Sequence, residues 1–309
     1  MKVRVLTGGL FLLVLVLCGV VATTAQERGT GKGDPRVGLK AGLRNAGQAI
    51  LNLELVASLA KPPGFFDPQS PQGRPTPAER PADAPQANAA ADTAAAGAAT
   101  PAVQTPPAFD PKTANRVDFT NTDFAFRGHQ LFMGNYHGFT VYDVEEASKP
   151  KLLSAVVCPG GQGDVSVHGN LLFMSVEQVR GRLDCGTEGV QTAVSAERFR
   201  GIRIFDISDI KKPRQVGAVQ TCRGSHTHTL VPDPADGSHI YIYGAGSSSV
   251  RSGEELAGCS NADAKDDPNT SLFSIDVIEV PIATPERARI VNKPRLFLDP
   301  NTGALNGLW

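Results

Sequence analysis

The sequence carries almost no net charge. Its 309 residues include 30 basic and 31 acidic side chains, which leave a formal net charge of -1 at pH 7. A chain balanced in this way has no bulk electrostatic attraction for a polyanion. The composition therefore argues against a nucleic-acid partner, whereas a hydrophobic fraction of 41% is sufficient to form a core.

The chain also lacks several catalytic signatures. It contains no Gly-x-Ser-x-Gly elbow, no phosphate-cradling glycine loop and no His-Glu-x-x-His pair. Ser225 and His226 are adjacent, but adjacent side chains on a strand point to opposite faces, so no pair of nucleophile and base can be named. Cysteines at Cys-x-x-Cys spacing are absent as well, which argues against a thiolate metal site.

The main feature that is present is an internal repeat. Thr140–Val144 recurs as Arg203–Ile207, and each copy is followed by a Lys-Pro corner and then by a cysteine, Cys158 or Cys222. Partial copies cover residues 123–133 and 275–291, and Asp276 stands at the aspartate position of the second of these. Short apolar strands at this period, separated by Gly, Asn, Asp and Pro, predict an array of β-sheets.

Each repeat is interpreted as four strands, predicted in the best copy at residues 164–167, 171–176, 202–207 and 215–219. Four strands form one blade of a β-propeller. We expect an all-β fold in which residues 115–309 form about three blades of an incomplete propeller. Because a propeller closes with about four to eight blades, the missing blades are expected downstream in a longer chain, or else in a second chain.

Residues 1–25 have the layout of a signal peptide. Lys2 and Arg4 precede an apolar core at residues 10–17, and small residues at 23–25 offer a cleavage site. The apolar run is short for a bilayer span, so we expect no transmembrane span in the mature chain and an extracytoplasmic location, in the periplasm or at the cell surface. Acylation at Cys18 is the alternative to cleavage near Ala25, and the large residue Leu17 in front of it argues for cleavage.

Export to an oxidising compartment changes how the cysteines are interpreted. Four remain once Cys18 is removed, which is an even number with three possible pairings. Cys158 and Cys222 hold the same place in two repeats, whereas Cys185 and Cys259 lie in the connection between the second and third strands. The connection into the first strand and the loop between the second and third strands lie on the same face of a blade. The repeat therefore predicts the disulfides Cys158–Cys185 and Cys222–Cys259.

Two further regions precede the repeats. Residues 34–61 are predicted to form an amphipathic helix that begins at Asp34-Pro35, and docking on the propeller is favoured over membrane binding because its polar face carries little charge. Residues 62–114 are rich in Ala and Pro and are predicted to be a disordered linker.

The repeats resemble the LVIVD-repeat family of exported β-propellers, which is named for the strand that is here Thr140–Val144 and Arg203–Ile207. The resemblance runs from about Arg36 to the end and marks this chain as the N-terminal portion of such a protein. It also includes the turn Cys158–Asp164 and the segment Ser225–Thr229. Members look like surface or periplasmic scaffolds, mostly without an assigned activity, so the resemblance implies an architecture and no reaction.

The superposed repeats give Asp123, Asp164 and His228 one shared position, at the start of the innermost strand of each blade. His226 stands two residues earlier, on the same face if the strand already runs extended there. His226, His228 and Asp164 are therefore a candidate site for a divalent metal at the mouth of the channel, with ligands suited to zinc, copper, iron or manganese. The competing interpretation is a ring of polar side chains that hydrogen-bond the next blade and need no metal.

The sequence favours an exported, non-catalytic binding scaffold. Its two disulfide-tethered loops, residues 177–200 and 245–271, would be presented on one face to an unknown protein or envelope ligand. The alternative is a metal-dependent redox or hydrolytic enzyme that uses the His/Asp site at the channel mouth. A third possibility is that the helix and the linker dock the propeller into a larger envelope complex.

Overall fold

The computed structural model describes residues 33–42, 45–67, 119–190, 192–296, 299 and 301–304. The predicted signal peptide, Cys18 and residues 68–114 of the predicted linker lie outside the described residues. The chain divides into two compact units, residues 1–55 and 56–309, and the sheets belong to the second. No helix within the described ranges combines the length and the apolar character that a membrane crossing requires.

The amphipathic helix predicted over residues 34–61 does not form in the described part of that segment. The backbone N–H of Val37 donates to the carbonyl of Asp34 at 2.9 Å and closes an isolated turn. Gly38 and Asn52 then adopt φ angles of 79° and 58°, which an α-helix does not contain. Glycine costs about 1 kcal/mol relative to alanine inside a helix, so the glycines of this segment outweigh the apolar spacing from which the helix was predicted.

Three four-stranded antiparallel sheets account for all the strands of the described chain, and each is a meander of consecutive strands. The first sheet contains β1 (Asn121–Arg127), β2 (Gln130–Asn135), β3 (Gly138–Asp143) and β4 (Lys151–Val157). The second contains β5 (Val165–His168), β6 (Leu171–Val176), β7 (Gly201–Asp206) and β8 (Arg214–Gln220). The third contains β9 (Thr227–Pro232), β10 (His239–Ala245), β11 (Asp276–Pro281) and β12 (Arg289–Asn292), with a 3-10 helix (Pro285–Arg287) before β12. The prediction of four-stranded units is confirmed.

The second sheet lies between the other two. Every residue of β6 is buried, because its side chains alternate between two hydrophobic cores. Leu172 and Met174 pack with Phe132 of the first sheet, whereas Leu171 and Phe173 pack with residues of the third sheet. The first core is completed mainly by β3 and β7, and the second mainly by β7, β10 and β11.

Strand registers make positions in the three sheets comparable. Phe132 pairs with Val141 in the first sheet, Phe173 pairs with Ile204 in the second, and Tyr241 pairs with Glu279 in the third. Each pair involves the third residue of the second strand. The first two pairs are apolar and covered by the following sheet, whereas the third pair is polar and lies on the face of the third sheet that points away from the second.

The repeat alignment of the third sheet needs a correction. Asp143 and Asp206 pair with the first residue of the neighbouring second strand, Gln130 and Leu171 respectively. Asp276 instead pairs with Gly244, near the end of that strand, and Pro281 takes the aspartate position. Short alternating apolar segments match one another at several offsets, so the sequence alone did not fix this register.

Candidate functional site

Two disulfide bonds, Cys158–Cys185 and Cys222–Cys259, join the connections that lead from β4 to β5 and from β8 to β9 to the long loops that follow β6 and β10. Both predicted pairings are therefore confirmed. The loops are called the first tethered loop (residues 177–200) and the second tethered loop (residues 245–271). Each loop leaves the end of its sheet at which the first strand begins, because an antiparallel second strand finishes where the first one starts.

A buried cluster of charges connects the two tethered loops. Glu255 of the second loop forms ion pairs with Arg198 of the first loop and with Nε of Arg251, the latter at 2.6 Å. The exposed fractions of these side chains are 6% for Arg198, 1% for Arg251 and 1% for Glu255. The backbone N–H of Ser195 also donates to Oε2 of Glu255 at 2.9 Å. Because removing one partner leaves another charge buried and unpaired, the cluster makes separation of the loops costly.

Arg203 of β7 binds the backbone of the first tethered loop. Its guanidinium is fully buried, lies 4.3 Å from the ring centre of Phe199 and donates to the carbonyl oxygens of Arg182 and Leu183. Burial lowers the pKa of Arg203 to about 10, so the side chain stays charged at neutral pH. The sheet therefore holds the part of the loop next to Cys185 by hydrogen bonds as well as by the disulfide.

His226 lies at the boundary between the loops and the third sheet. Its Nδ1 is 2.6 Å from Oε2 of Glu177, which also accepts a hydrogen bond of 2.7 Å from Ser247. The His226 side chain is 42% exposed. This imidazole is thus held by the first residue of the first tethered loop and opens towards solvent.

Asp123, Asp164 and His228 meet near the first strands of the three sheets, β1, β5 and β9. Oδ2 of Asp164 accepts a hydrogen bond of 2.7 Å from the backbone N–H of His228 and lies 2.8 Å from Nδ1 of the same residue. Asp123 forms a side-chain hydrogen bond with Asp164. The three residues that share one position in the superposed repeats are therefore linked in a row across the sheets.

The two carboxyl groups of this row differ in their affinity for a proton. Burial, reinforced by the hydrogen bond to Asp164, raises the pKa of Asp123. Burial also opposes ionisation of Asp164, but hydrogen bonds from His228 hold the pKa of that carboxyl below its ordinary value of 3.8. When the pair shares one proton, Asp123 therefore holds it and Asp164 is the carboxylate.

Three serines complete the surroundings of His228. Ser166 of β5 forms a hydrogen bond with Nε2 of the imidazole, and Ser175 of β6 lies 2.8 Å from Nδ1. Ser175 is also 2.9 Å from Oγ of Ser225, whose hydroxyl donates to the carbonyl of Thr227 at 3.1 Å. The His228 side chain has an exposed fraction of 0%.

A neutral His228 with its proton on Nδ1 satisfies these contacts. The single hydroxyl proton of Ser225 is used on the carbonyl of Thr227, so the hydroxyl of Ser175 donates to Ser225 and its oxygen accepts from Nδ1. The carboxylate of Asp164 lies 2.8 Å from the same nitrogen and favours a proton there. Nε2 therefore carries the lone pair, and the hydroxyl of Ser166 donates to it.

The residues of the predicted metal site have different partners. His228 and Asp164 contact each other, but both ring nitrogens of His228 are engaged in hydrogen bonds, and His226 pairs with Glu177 rather than with Asp164. Within the described ranges, no group of three or more His, Cys, Asp or Glu side chains is arranged to hold a metal ion. The contacts of His228 agree with the polar-ring interpretation given above.

Sequence reasoning found Asp164 and His228 but missed Ser166. Two signals for it were present: Asp164 and Ser166 stand at i and i+2 and so share one face of an extended chain, and the repeat matched Asp164 with His228.

No protein-family model matches this chain, and no match was found among curated proteins.

Proposed function

We propose that this protein is an exported binding scaffold of the β-propeller type, akin to the LVIVD-repeat proteins that its strands resemble. Each four-stranded sheet is one blade, and the two tethered loops together form the recognition surface on one face. Two disulfides are compatible with an oxidising, extracytoplasmic compartment.

The observation that carries this proposal is the Arg198–Glu255–Arg251 cluster. A loop that binds a partner loses less conformational entropy on binding when its shape is fixed in advance. Here each loop is closed by a disulfide, and the loops are fixed to each other by charges that water does not reach. Such rigid loops on a sheet scaffold are a common location for recognition.

Site-directed photo-crosslinking in the native envelope tests the proposal. A photoreactive residue would replace Leu183 or Val194, which are 41% and 42% exposed in the first tethered loop. The matched control is Lys211, an exposed residue of the β7–β8 turn at the opposite end of the second sheet. We expect one discrete crosslinked partner from both loop positions and none from Lys211. Equal crosslinking from all three positions, or none from any, would contradict the proposal.

A further inference from the structure

We propose that Ser166, His228 and Asp164 form a nucleophile, base and carboxylate triad, and that Ser166 performs acyl transfer on a small carboxylic ester. The proposal goes beyond the binding function, because it concerns the innermost strands rather than the loops. It places a chemical activity at a polar cluster that the binding function does not use.

The connectivity of the three side chains is that of a serine hydrolase. The carboxylate of Asp164 contacts Nδ1 of His228 at 2.8 Å, and Nε2 on the other side of the ring is bonded to the hydroxyl of Ser166. The recognisable property of such a triad is this order of contacts, which recurs on unrelated folds and in any order along the chain.

The protonation state also fits the base role. The hydroxyl chain from Ser175 through Ser225 to the carbonyl of Thr227 accommodates a proton on Nδ1 of His228, and in that tautomer Nε2 accepts the proton of Ser166. Asp164 remains ionised and stabilises the imidazolium that forms when the proton moves. Ser175 and Ser225 are positioning residues, since they act on the imidazole and not on the substrate.

The location gives the serine access to a ligand. Ser166 is partly exposed, whereas the imidazole behind it is fully buried. β5 is hydrogen-bonded to a neighbouring strand on one side only in the described chain, and on its other edge the backbone N–H of Val165 donates to the carboxyl group of Asp123. β5 begins at the end of the sheet from which the tethered loops extend.

The reaction balances with an ester and water alone. Oγ of Ser166 forms a bond to the ester carbonyl carbon while its proton moves to Nε2 of His228. The C–O bond to the alcohol breaks, and the departing oxygen takes that proton. Water then attacks the acyl-serine, His228 accepts a proton from the water and returns it to Oγ of Ser166, and the carboxylic acid is released.

A fluorophosphonate probe tests the proposal on the full oxidised chain. The probe bonds covalently to a serine only when the hydroxyl is activated, and peptide mass spectrometry identifies the serine. We expect one equivalent of label on Ser166. Asp164→Asn should slow labelling by about 1,000-fold or more, in line with the loss seen when the carboxylate of a triad is neutralised.

Two serine variants test whether the label depends on Ser166 itself. Ser166→Ala should abolish labelling, and Ser148→Ala, which changes an exposed serine in the β3–β4 turn, should leave it unchanged. Circular dichroism and a free-thiol assay confirm that each variant is folded with both disulfides intact. An unlabelled Ser166 in the folded wild-type protein would overturn the proposal, as would a label on another serine. The crosslinking result for the loops is independent of either outcome, so the two proposals fail separately.

Discussion

The second and third sheets follow one strand plan but differ in what their faces cover. Phe173 and Ile204 of the second sheet are buried against the third, whereas the equivalent positions of the third sheet hold Tyr241 and Glu279. Glu279 forms an ion pair with Arg289 at 2.5 Å, and burial together with the charge of Glu279 raises the pKa of Tyr241. A repeat therefore preserves its hydrogen-bonded strands, while its side chains differ between a face that another sheet covers and a face that no sheet of the described ranges covers.

The largest effect should come from truncating the covered face. Phe173→Ala leaves a cavity in the core between the second and third sheets and should lower the free energy of unfolding by about 3 to 5 kcal/mol. Tyr241→Ala, at the equivalent position of the third sheet, should cost about 1 kcal/mol or less, because its ring is not enclosed on both sides. Urea unfolding monitored by fluorescence measures both, and equal losses would show that the two faces are alike.

The ion pairs of Glu255 and Glu279 allow the same comparison between a buried site and an exposed one. Glu255→Gln leaves Arg198 and Arg251 buried without their carboxylate and should lower the free energy of unfolding by about 3 kcal/mol. Glu279→Gln removes the partner of Arg289, which is 64% exposed, and should cost about 0 to 1 kcal/mol.

Hydrogen exchange separates local from global effects of these variants. In Glu255→Gln the amides of both tethered loops should exchange faster together, because one carboxylate holds both loops. Faster exchange in the second loop alone would contradict the view that the loops form one unit.

A change in pH should have a smaller effect on the free energy of unfolding. The folded-state pKa of Asp164 is lowered, so its contribution to stability is present above its ordinary value of 3.8 and is lost as the pH falls through the lower, folded value. Asp164→Asn should therefore reduce stability at pH 6 and flatten the acid side of the stability profile. Asp123 has a raised pKa and the opposite sign: its contribution declines as the pH rises above 3.8.

The matched control for Asp164 is Asp236, a turn residue whose pKa is lowered to about 2 mainly by hydrogen bonds with Ser238. Asp236 is exposed to solvent, which screens its interactions, so Asp236→Asn should change the acid side of the profile less than Asp164→Asn. Thermal unfolding between pH 2 and 6, in steps of about half a pH unit, checks the order of the two effects.

The sequence was most informative where the repeats match without gaps. The strands around Thr140–Val144 and Arg203–Ile207 were predictable because turn residues and cysteines repeat with them, and the same match paired the four cysteines correctly. The prediction of a helix over residues 34–61 was wrong because the apolar spacing was given more weight than the glycines of that segment. Ser166 was missed because its partner is 62 residues away, and serine on a strand has no signature of its own.

Arg203 has a consequence for the chemistry of the first disulfide. Reducing Cys158–Cys185 removes a covalent link, but the guanidinium still binds the carbonyl groups of Arg182 and Leu183, and lifting the loop would leave this buried positive charge with only the side-chain oxygen of Gln215 among these acceptors. The first loop should consequently keep its native fold in a reducing environment, whereas Arg203→Met would make that fold dependent on oxidation.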